Sequence, residues 1–336
     1  MRRLFEGFEK YNRRHGLIQK NDRVVLGLSG GPDSVALLLL LLKLKNKYSL
    51  RLSAAHLNHH LSSARSSGHE IFSEKLAHRL GVVFYKKSVN IKSVARRRRQ
   101  SLEETGREER YRFFAHVAKK TGSNKIATAH TLDDQAETIL MRLARGCGLR
   151  GLSGIPARRQ EGVFQIIRPL IGVSKKDILA FLKETGQPFY QDPSNFKDVY
   201  TRNRVRNRLI PWIEKNLNPQ IKEGLSDLGQ ICAQTQELVD DLAGRALKSC
   251  LKKRTAREIR LGTAGLERLR PAVCSEVIRR AMGLLRGGGS GFASAHTAAV
   301  RDLLFSKEKN PQAHLPGCLI AVKKGESLRI FDSSRK

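Results

Sequence analysis

No stretch of this 336-residue chain approaches the roughly 18 consecutive apolar residues of a membrane span, and the best candidate, 35–42, is short and follows Asp33. The opening Met1-Arg-Arg-Leu-Phe-Glu lacks the apolar core of a signal peptide, and Glu6 and Glu9 argue against a transit peptide. Cysteine is scarce. The five cysteines (Cys147, Cys232, Cys250, Cys274, Cys318) contain no Cys-x-x-Cys. That spacing excludes a local zinc or iron–sulfur clip and a disulfide framework, and a cytoplasmic protein without a membrane partner is expected. Carboxylates are few as well: 31 Asp and Glu stand against 63 Lys and Arg, a net charge of +32 at pH 7. Self-repulsion on that scale costs stability, and a large polyanion is the commonest reason to keep it. An acidic membrane surface or general basic drift are the weaker alternatives.

What the chain does contain is organised around residues 24–34, Val-Val-Leu-Gly-Leu-Ser-Gly-Gly-Pro-Asp-Ser, followed by a leucine-rich run. Residues 24–28 read as a buried parallel strand, 29–32 as a tight turn, and 35 onward as a helix packed on the sheet. Gly30 and Gly31 leave no Cβ between backbone N–H groups and a ligand, and the helix N-terminus beside Asp33 and Ser34 favours anions. Pro32 suits a first helical turn. A carboxylate among phosphates repels them unless a cation intervenes, which marks Asp33 as a Mg²⁺ ligand. The plainer alternative is a strand-to-helix turn with an Asp or Ser cap. No Gly-Lys-Ser/Thr is present, so this is not a Walker loop, and the turn lacks the glycine spacing of dinucleotide sites.

The length favours two or three domains. After a lead-in helix over 4–17, further strands are predicted at 50–57, 82–89, 125–129 and 163–167, with helices at 66–80, 102–121, 136–145 and 175–185, the last capped by Ser174. In a parallel sheet, ligands sit at the carboxyl ends of strands, which places His56 and His59 beside a base or ribose. Arg96, Arg97, Arg98 and Arg99 form a block suited to phosphate contact, although such blocks are often only solvated. Arg107 and Arg110 share one helix face, with Tyr111 and Phe114 adjacent. His130, Asp133, Asp134 and Glu137 crowd the end of the 125–129 strand and the start of the next helix. First-turn acids are favoured by the helix dipole alone; the functional alternative is a metal and proton-transfer site. Arg145 to Pro156 is a glycine-punctuated basic loop, and Arg202, Arg204, Arg206 and Arg208 alternate in a way that offers a positive surface.

The Ser29-Gly-Gly-x-Asp33-Ser34 turn resembles the signature of the ATP-pyrophosphatase, or PP-loop, superfamily. Other stretches narrow the choice: His56-Leu-Asn58-His59, Glu104 with Arg107 and Arg110-Tyr111, His130-Thr-Leu-Asp133-Asp134-Gln-Ala-Glu137-Thr138, Arg145-Gly-Cys-Gly-Leu-Arg150-Gly, Arg168-Pro-Leu, Asp192-Pro-Ser-Asn195 and Arg202-Asn-Arg204-Val-Arg206. In this order they resemble the tRNA(Ile)-lysidine synthetases, with Gly106 standing where that family usually has Ala. Tail residues 290–331 resemble the family more weakly, and its larger C-terminal domain has no counterpart, which implies a short form.

The resemblance implies an α/β fold of adenine-nucleotide α-hydrolase type, a parallel twisted sheet flanked by helices. It would occupy 1–215 as the catalytic domain. An RNA-binding region is expected over 216–336: helical 220–286, a Gly-rich hinge 287–291 and a small α+β part 292–336 with strands at 319–322 and 328–331. The implied reaction uses ATP and Mg²⁺ to adenylate O2 of the wobble cytidine of an isoleucine tRNA with a CAU anticodon. Free L-lysine then displaces AMP, leaving lysidine. Ser29, Gly30, Gly31, Pro32, Asp33, Ser34 and His56 would bind ATP, and Asp33 would hold Mg²⁺, with Asp133 or Asp134 as a second ligand. Arg107 would neutralise the α-phosphate region. His130, Asp133, Asp134 and Glu137 would hold the metal or the lysine ammonium, or accept its proton. Arg96, Arg97, Arg98, Arg99, Arg145, Arg150, Arg202, Arg204 and Arg206 would contact tRNA, and a homodimer is kept open. The rival readings are a tRNA thiolase, for which no suitable Cys pair exists, and an RNA-binding protein with a vestigial nucleotide fold.

Overall fold

The computed structural model describes residues 2–59, 63–190, 201–286 and 292–334. The turn cluster at 191–195 and the hinge at 287–291 lie outside the described residues. The chain divides into two compact units, 1–146 with 151–229 and 147–150 with 230–336.

In the first unit the chain runs α1 (Arg2–Arg14), β1 (Arg23–Gly27), α2 (Pro32–Lys45), β2 (Arg51–Asn58), α3 (Ser63–Arg79), β3 (Val83–Ser88), α4 (Ile91–Arg98), α5 (Leu102–Thr121), β4 (Lys125–Ala127) and α6 (Leu132–Ala144). Then come α7 (Leu149–Leu152), whose first two residues belong to the second unit, β5 (Arg158–Glu161), β6 (Phe164–Ile167), α8 (Lys175–Glu184), α9 (Thr201–Arg204), a π-helical turn (Val205–Leu209), α10 (Ile210–Asn216) and α11 (Ile221–Cys250), which continues into the second unit. The sheet has the order β3-β2-β1-β4-β6-β5 and is parallel except for the β5–β6 hairpin.

The sheet follows from its apolar alternation. Val24, Leu26, Ala54, Ala127 and Ile167 pack on one face, where α2 also buries Val35, Leu37, Leu38, Leu40 and Leu41. Val25, Ala55, Leu57, Ile126 and Ile166 face the other way, onto Phe113, Phe114 and Val117 of α5. Strands covered on both faces need continuous apolar runs, which is what residues 24–26 supply. Gly27 lets α5 approach: a Cβ there would stand 2.7 Å from the Phe114 ring. From β1 the chain moves outward to β2 and β3, then crosses back to β4 and β6. The carboxyl ends of β1 and β4 therefore flank the switch point at which open α/β sheets bind ligands.

Most helix limits fall close to expectation, and α5 runs over the predicted 102–121. The helix predicted at 136–145 begins one turn earlier, because Thr131 and Asp134 form a reciprocal capping box. α4 and β5 were not foreseen. Gly106 is buried within α5, and an added Cβ would meet His59 Cε1 at 3.5 Å and Ile91 Cγ2 at 4.0 Å, ordinary contacts. Gly106→Ala is expected to raise stability by about 1 kcal/mol through helix propensity. A urea midpoint below the parent's would show that the site rejects a methyl group.

The second unit contains the remainder of α11, β7 (Leu251–Arg254), β8 (Glu258–Gly262), α12 (Thr263–Glu267), α13 (Pro271–Leu285), α14 (Ser294–Asp302), a 3₁₀ turn (Leu303–Phe305), β9 (Gln312–Leu315), β10 (Leu319–Lys324) and β11 (Ser327–Asp332). The strands form an antiparallel sheet of order β7-β8-β11-β10-β9. The region is mostly helical with a small C-terminal sheet, as expected, but the helical reading of 220–286 fails at 251–262. Ile259 and Leu261 alternate inward against Leu328 and Ile330, and strand pairing there buries what a helix would expose. Among the described residues, no helix is long and apolar enough to cross a membrane.

Candidate active site

The loop after β1 is fastened from behind. The carbonyl oxygens of Leu28, Ser29 and Gly30 accept from His56 Nδ1 (2.8 Å), His69 Nδ1 (3.2 Å) and Tyr190 N–H (2.8 Å). A trans peptide points its N–H opposite its carbonyl, so the N–H groups of Gly30 and Gly31 face away from these anchors. Inside the loop, Ser34 Oγ donates to Gly31 O (3.0 Å) and accepts from Ser29 N–H (3.2 Å). Gly30 has φ +85°, and a Cβ there would stand 3.0 Å from Ser73 Oγ and 3.4 Å from His69 O, so the turn requires glycine. Gly31 is the N-cap of α2 without a side-chain cap, with Pro32 next and Asp33 in the first turn. The arrangement is an anion cradle with a carboxylate at its rim.

Asp33 is an uncomfortable acid. Burial pushes its carboxyl up to about 6, against the pull of Lys175 Nζ, 3.6 Å from Oδ2. Among the described residues, its buried Oδ1 has no hydrogen-bond partner. A buried oxygen left unpaired beside a phosphate cradle fits a divalent cation completed by phosphate and water oxygens. The other two carboxylates considered as metal ligands are engaged elsewhere. Asp133 accepts from the Lys175 backbone N–H (2.7 Å) and from Lys222 Nζ (2.9 Å), which also pairs with Glu214. Asp134 completes the α6 cap through Oδ2 and receives Arg202 Nη2 on Oδ1 at 2.7 Å. Among the described residues, no group of three or more His, Cys, Asp or Glu is placed to hold a metal.

Glu137, only 1% exposed, is bound by two arginines. Arg206 grips it through Nε (2.5 Å) and Nη2 (3.0 Å), and Arg202 Nε lies 2.7 Å from Oε2. Their attraction to Asp134 and Glu137 outweighs burial and raises the pKa of both guanidinium groups. These two arginines, expected on an RNA-facing surface, instead spend their charge on the carboxylates of α6. Arg204 is exposed and points elsewhere, with Nη2 3.2 Å from Thr201 Oγ1.

His130 follows β4, with Nδ1 3.0 Å from Thr128 Oγ1. Burial holds it neutral, down to about 4, although Asp134 pulls the other way. Tyr111 of α5 collects two arginines: Arg107 and Arg159 lie 5.3 and 5.7 Å from its ring centre. Arg168, 1% exposed, donates to Pro156 O (2.6 Å), and its Nε has no partner among the described residues. Sequence reasoning gave no role to Lys175, Lys222, Arg168 or the anchors His69 and Tyr190. Only Arg168, in Arg168-Pro-Leu at the end of a predicted strand, carried a positional signal.

His59 is half-buried, and burial with nearby Arg110 brings it down to about 4. The unfolded chain would bind that proton near pH 6.5, so the stabilisation from keeping His59 neutral is full above 6.5 and lost as pH falls toward 4. The urea midpoint is expected to fall between pH 7 and 5, and less steeply in His59→Gln. Equal slopes would show that His59 titrates normally in the fold. Asp33, raised to about 6, works in the opposite sense and makes the total fall shallower.

Of the remaining arginines, Arg96, Arg97 and Arg99 are exposed at the end of α4, and Arg99 takes a left-handed cap conformation. Arg98 is tied to Glu108 (3.3 Å) and Glu109 (2.9 Å). Arg145 is exposed after α6. Arg150, within the second unit, pairs with Asp240 (2.7 Å) and Glu276 (2.9 Å).

The PP-loop domain family matches residues 4–213. The tRNA(Ile)-lysidine synthase of Clostridioides difficile is 31% identical over 94% of this chain and 68% of its own length. That of Geobacter sulfurreducens is 35% identical over 93% and 66%, and that of Caldanaerobacter subterraneus 32% over 99% and 69%. The chain thus spans about two thirds of the length of these relatives. Among solved structures, the U34-tRNA thiolase NcsA from Methanococcus maripaludis with its [4Fe-4S] cluster has a TM-score of 0.56 at 19% identity, covering 68% of this chain and 80% of that one. At that identity the likeness speaks to fold alone. By the extent of both matches, the chain belongs to the PP-loop family and, within it, to the tRNA(Ile)-lysidine synthases.

Proposed function

We propose that this chain uses ATP to ligate L-lysine to C2 of the wobble cytidine in an isoleucine tRNA with a CAU anticodon, so that the tRNA reads AUA instead of AUG. The observation that carries the reading is the anchored loop at the switch point, with Asp33 in the helical turn that follows it and its buried Oδ1 without a partner among the described residues. Cytidine O2 attacks the α-phosphorus, and pyrophosphate leaves. The ε-amine of lysine then forms the C–N bond at C2, AMP departs with the oxygen, and the amine loses its proton.

The loop N–H groups and the α2 N-terminus bind the departing pyrophosphate and stabilise its charge as it develops. Asp33 would hold Mg²⁺, which when bound neutralises charge on the phosphate oxygens. His56 donates its Nδ1–H to Leu28 O, which leaves Nε2 as an acceptor for base or ribose. Arg107 meets the α-phosphate, with its guanidinium held over Tyr111. His130 accepts the proton of the attacking amine, since bound phosphates add negative charge beside it and raise its basicity. Asp134 and Glu137 act by positioning Arg202 and Arg206 rather than by binding metal.

Arg96, Arg97, Arg99, Arg145 and Arg204 would contact RNA phosphates. Replacing Arg96, Arg97 and Arg99 together with Gln is expected to flatten the log–log salt dependence of tRNA binding by about 2. An unchanged slope would remove them from the interface. The function itself is tested by incubating the chain with ATP, lysine and a CAU transcript, then weighing the anticodon nucleoside. The expected gain is one lysine less one water. A sulfur-for-oxygen mass change would favour a thiolase, and an unchanged cytidine would refute ligation.

A further inference from the structure

The helical rod from α9 through the π-turn to α10 has two working faces. Arg202 and Arg206 turn to Asp134 and Glu137. On the other side, Thr201, Arg204, Val205, Arg208, Leu209 and Trp212 line an open groove of about 530 Å³. These positions recur at steps of three and four, the spacing of a single helix stripe. Trp212 is 55% exposed and Leu209 41%, although both are residues that proteins usually cover. π-Turns are uncommon and concentrate at functional sites. Here the turn accompanies a split of four alternating arginines between the carboxylates and the groove.

We propose that this groove is a nucleotide-binding subsite, in which the Trp212 indole stacks on an unpaired RNA base while Arg204 and Arg208 meet the flanking phosphates. An apolar ring beside guanidinium groups matches the two halves of a nucleotide, a π-face and an anion. The volume suits one such unit. The net charge of +32 makes a polyanion the complementary occupant. The inference rests on the RNA-modifying reading above and adds to it a specific point of contact.

Trp212 is the single tryptophan of the chain, so its fluorescence reports this groove alone. Titrating the intact protein with an unmodified CAU tRNA transcript is expected to quench the emission, with a midpoint equal to the binding constant from filter retention. Trp212→Ala should weaken retention about tenfold, and Trp212→Phe, which keeps a stacking face, should recover most of that loss. Because the ring is exposed, both variants should keep the parent's urea midpoint. Retention without quenching, or retention unaffected in Trp212→Ala, would overturn the subsite and leave the functional reading intact. No RNA retention at all would defeat both. Equal quenching by polyglutamate would assign the groove to an acidic protein surface and overturn the proposal as well.

Discussion

Asp33→Ala is expected to lower AMP formation by about a thousandfold, the scale seen when a single preorganised electrostatic contact to a transition state is removed. RNA affinity should change by less than about twofold, because phosphate contacts spread over many arginines carry that term. Two features require this split. The Asp33 carboxyl is half-buried at the rim of the loop, and its buried Oδ1 has no partner among the described residues, a placement that costs stability in the empty protein. Among the described residues the same side chain makes one ion pair, to Lys175 at 3.6 Å, so its loss disturbs little of the scaffold. Asp33→Ala should therefore match or exceed the parent's urea midpoint while losing turnover. Retained turnover would remove Asp33 from metal binding. A collapsed fold would show that the unpaired oxygen has a structural partner.

Glu137→Gln should have the reverse profile. Glu137 is 1% exposed and holds two arginines, themselves 26% and 36% exposed, through three nitrogen–oxygen contacts at hydrogen-bond distance. Removing one partner of a buried ionic cluster strands the others, at a cost of about 3–5 kcal/mol. A fall in the urea midpoint of that size is predicted, with loss of activity following the loss of folded protein. Pairing Glu137→Gln with Arg206→Gln should restore part of the stability, because fewer stranded charges remain. If Glu137→Gln kept its stability and lost activity, the carboxylate would be committed to the reaction instead of to the α9–α10 rod.

These expectations also mark how far the sequence could be read. The strand, turn and helix at 24–42 were legible because each carries a local signal: an apolar run, paired glycines, and a leucine-rich segment behind Pro32. The placement of His56 and His130 at strand ends followed from the rule for parallel sheets. The partners of Asp134 and Glu137 could not be read that way. Arg202 and Arg206 lie 65 to 69 residues further along, and alternating arginines look alike whether they face RNA or carboxylates. Charge alone does not reveal its partner. β5 was illegible for a related reason: Arg158 to Glu161 are all exposed, and the strand exists through its pairing with β6. At 258–262 the alternation was present, but it is short and sits between segments with strong helical character. The capping box at Thr131 shows the limit in the other direction. The first-turn acid was only the plainer alternative for Asp134, and that use of its Oδ2 is what makes a metal role unattractive.

The most direct test follows the fate of ATP labelled in the α-phosphate, in the presence of a CAU tRNA transcript and L-lysine. A loop that grips the outer phosphates as the leaving group predicts AMP and pyrophosphate in equal amounts, formed only when RNA is present and turning over only with lysine. Appearance of ADP and inorganic phosphate would contradict it, because that cleavage leaves the bond facing the cradle intact.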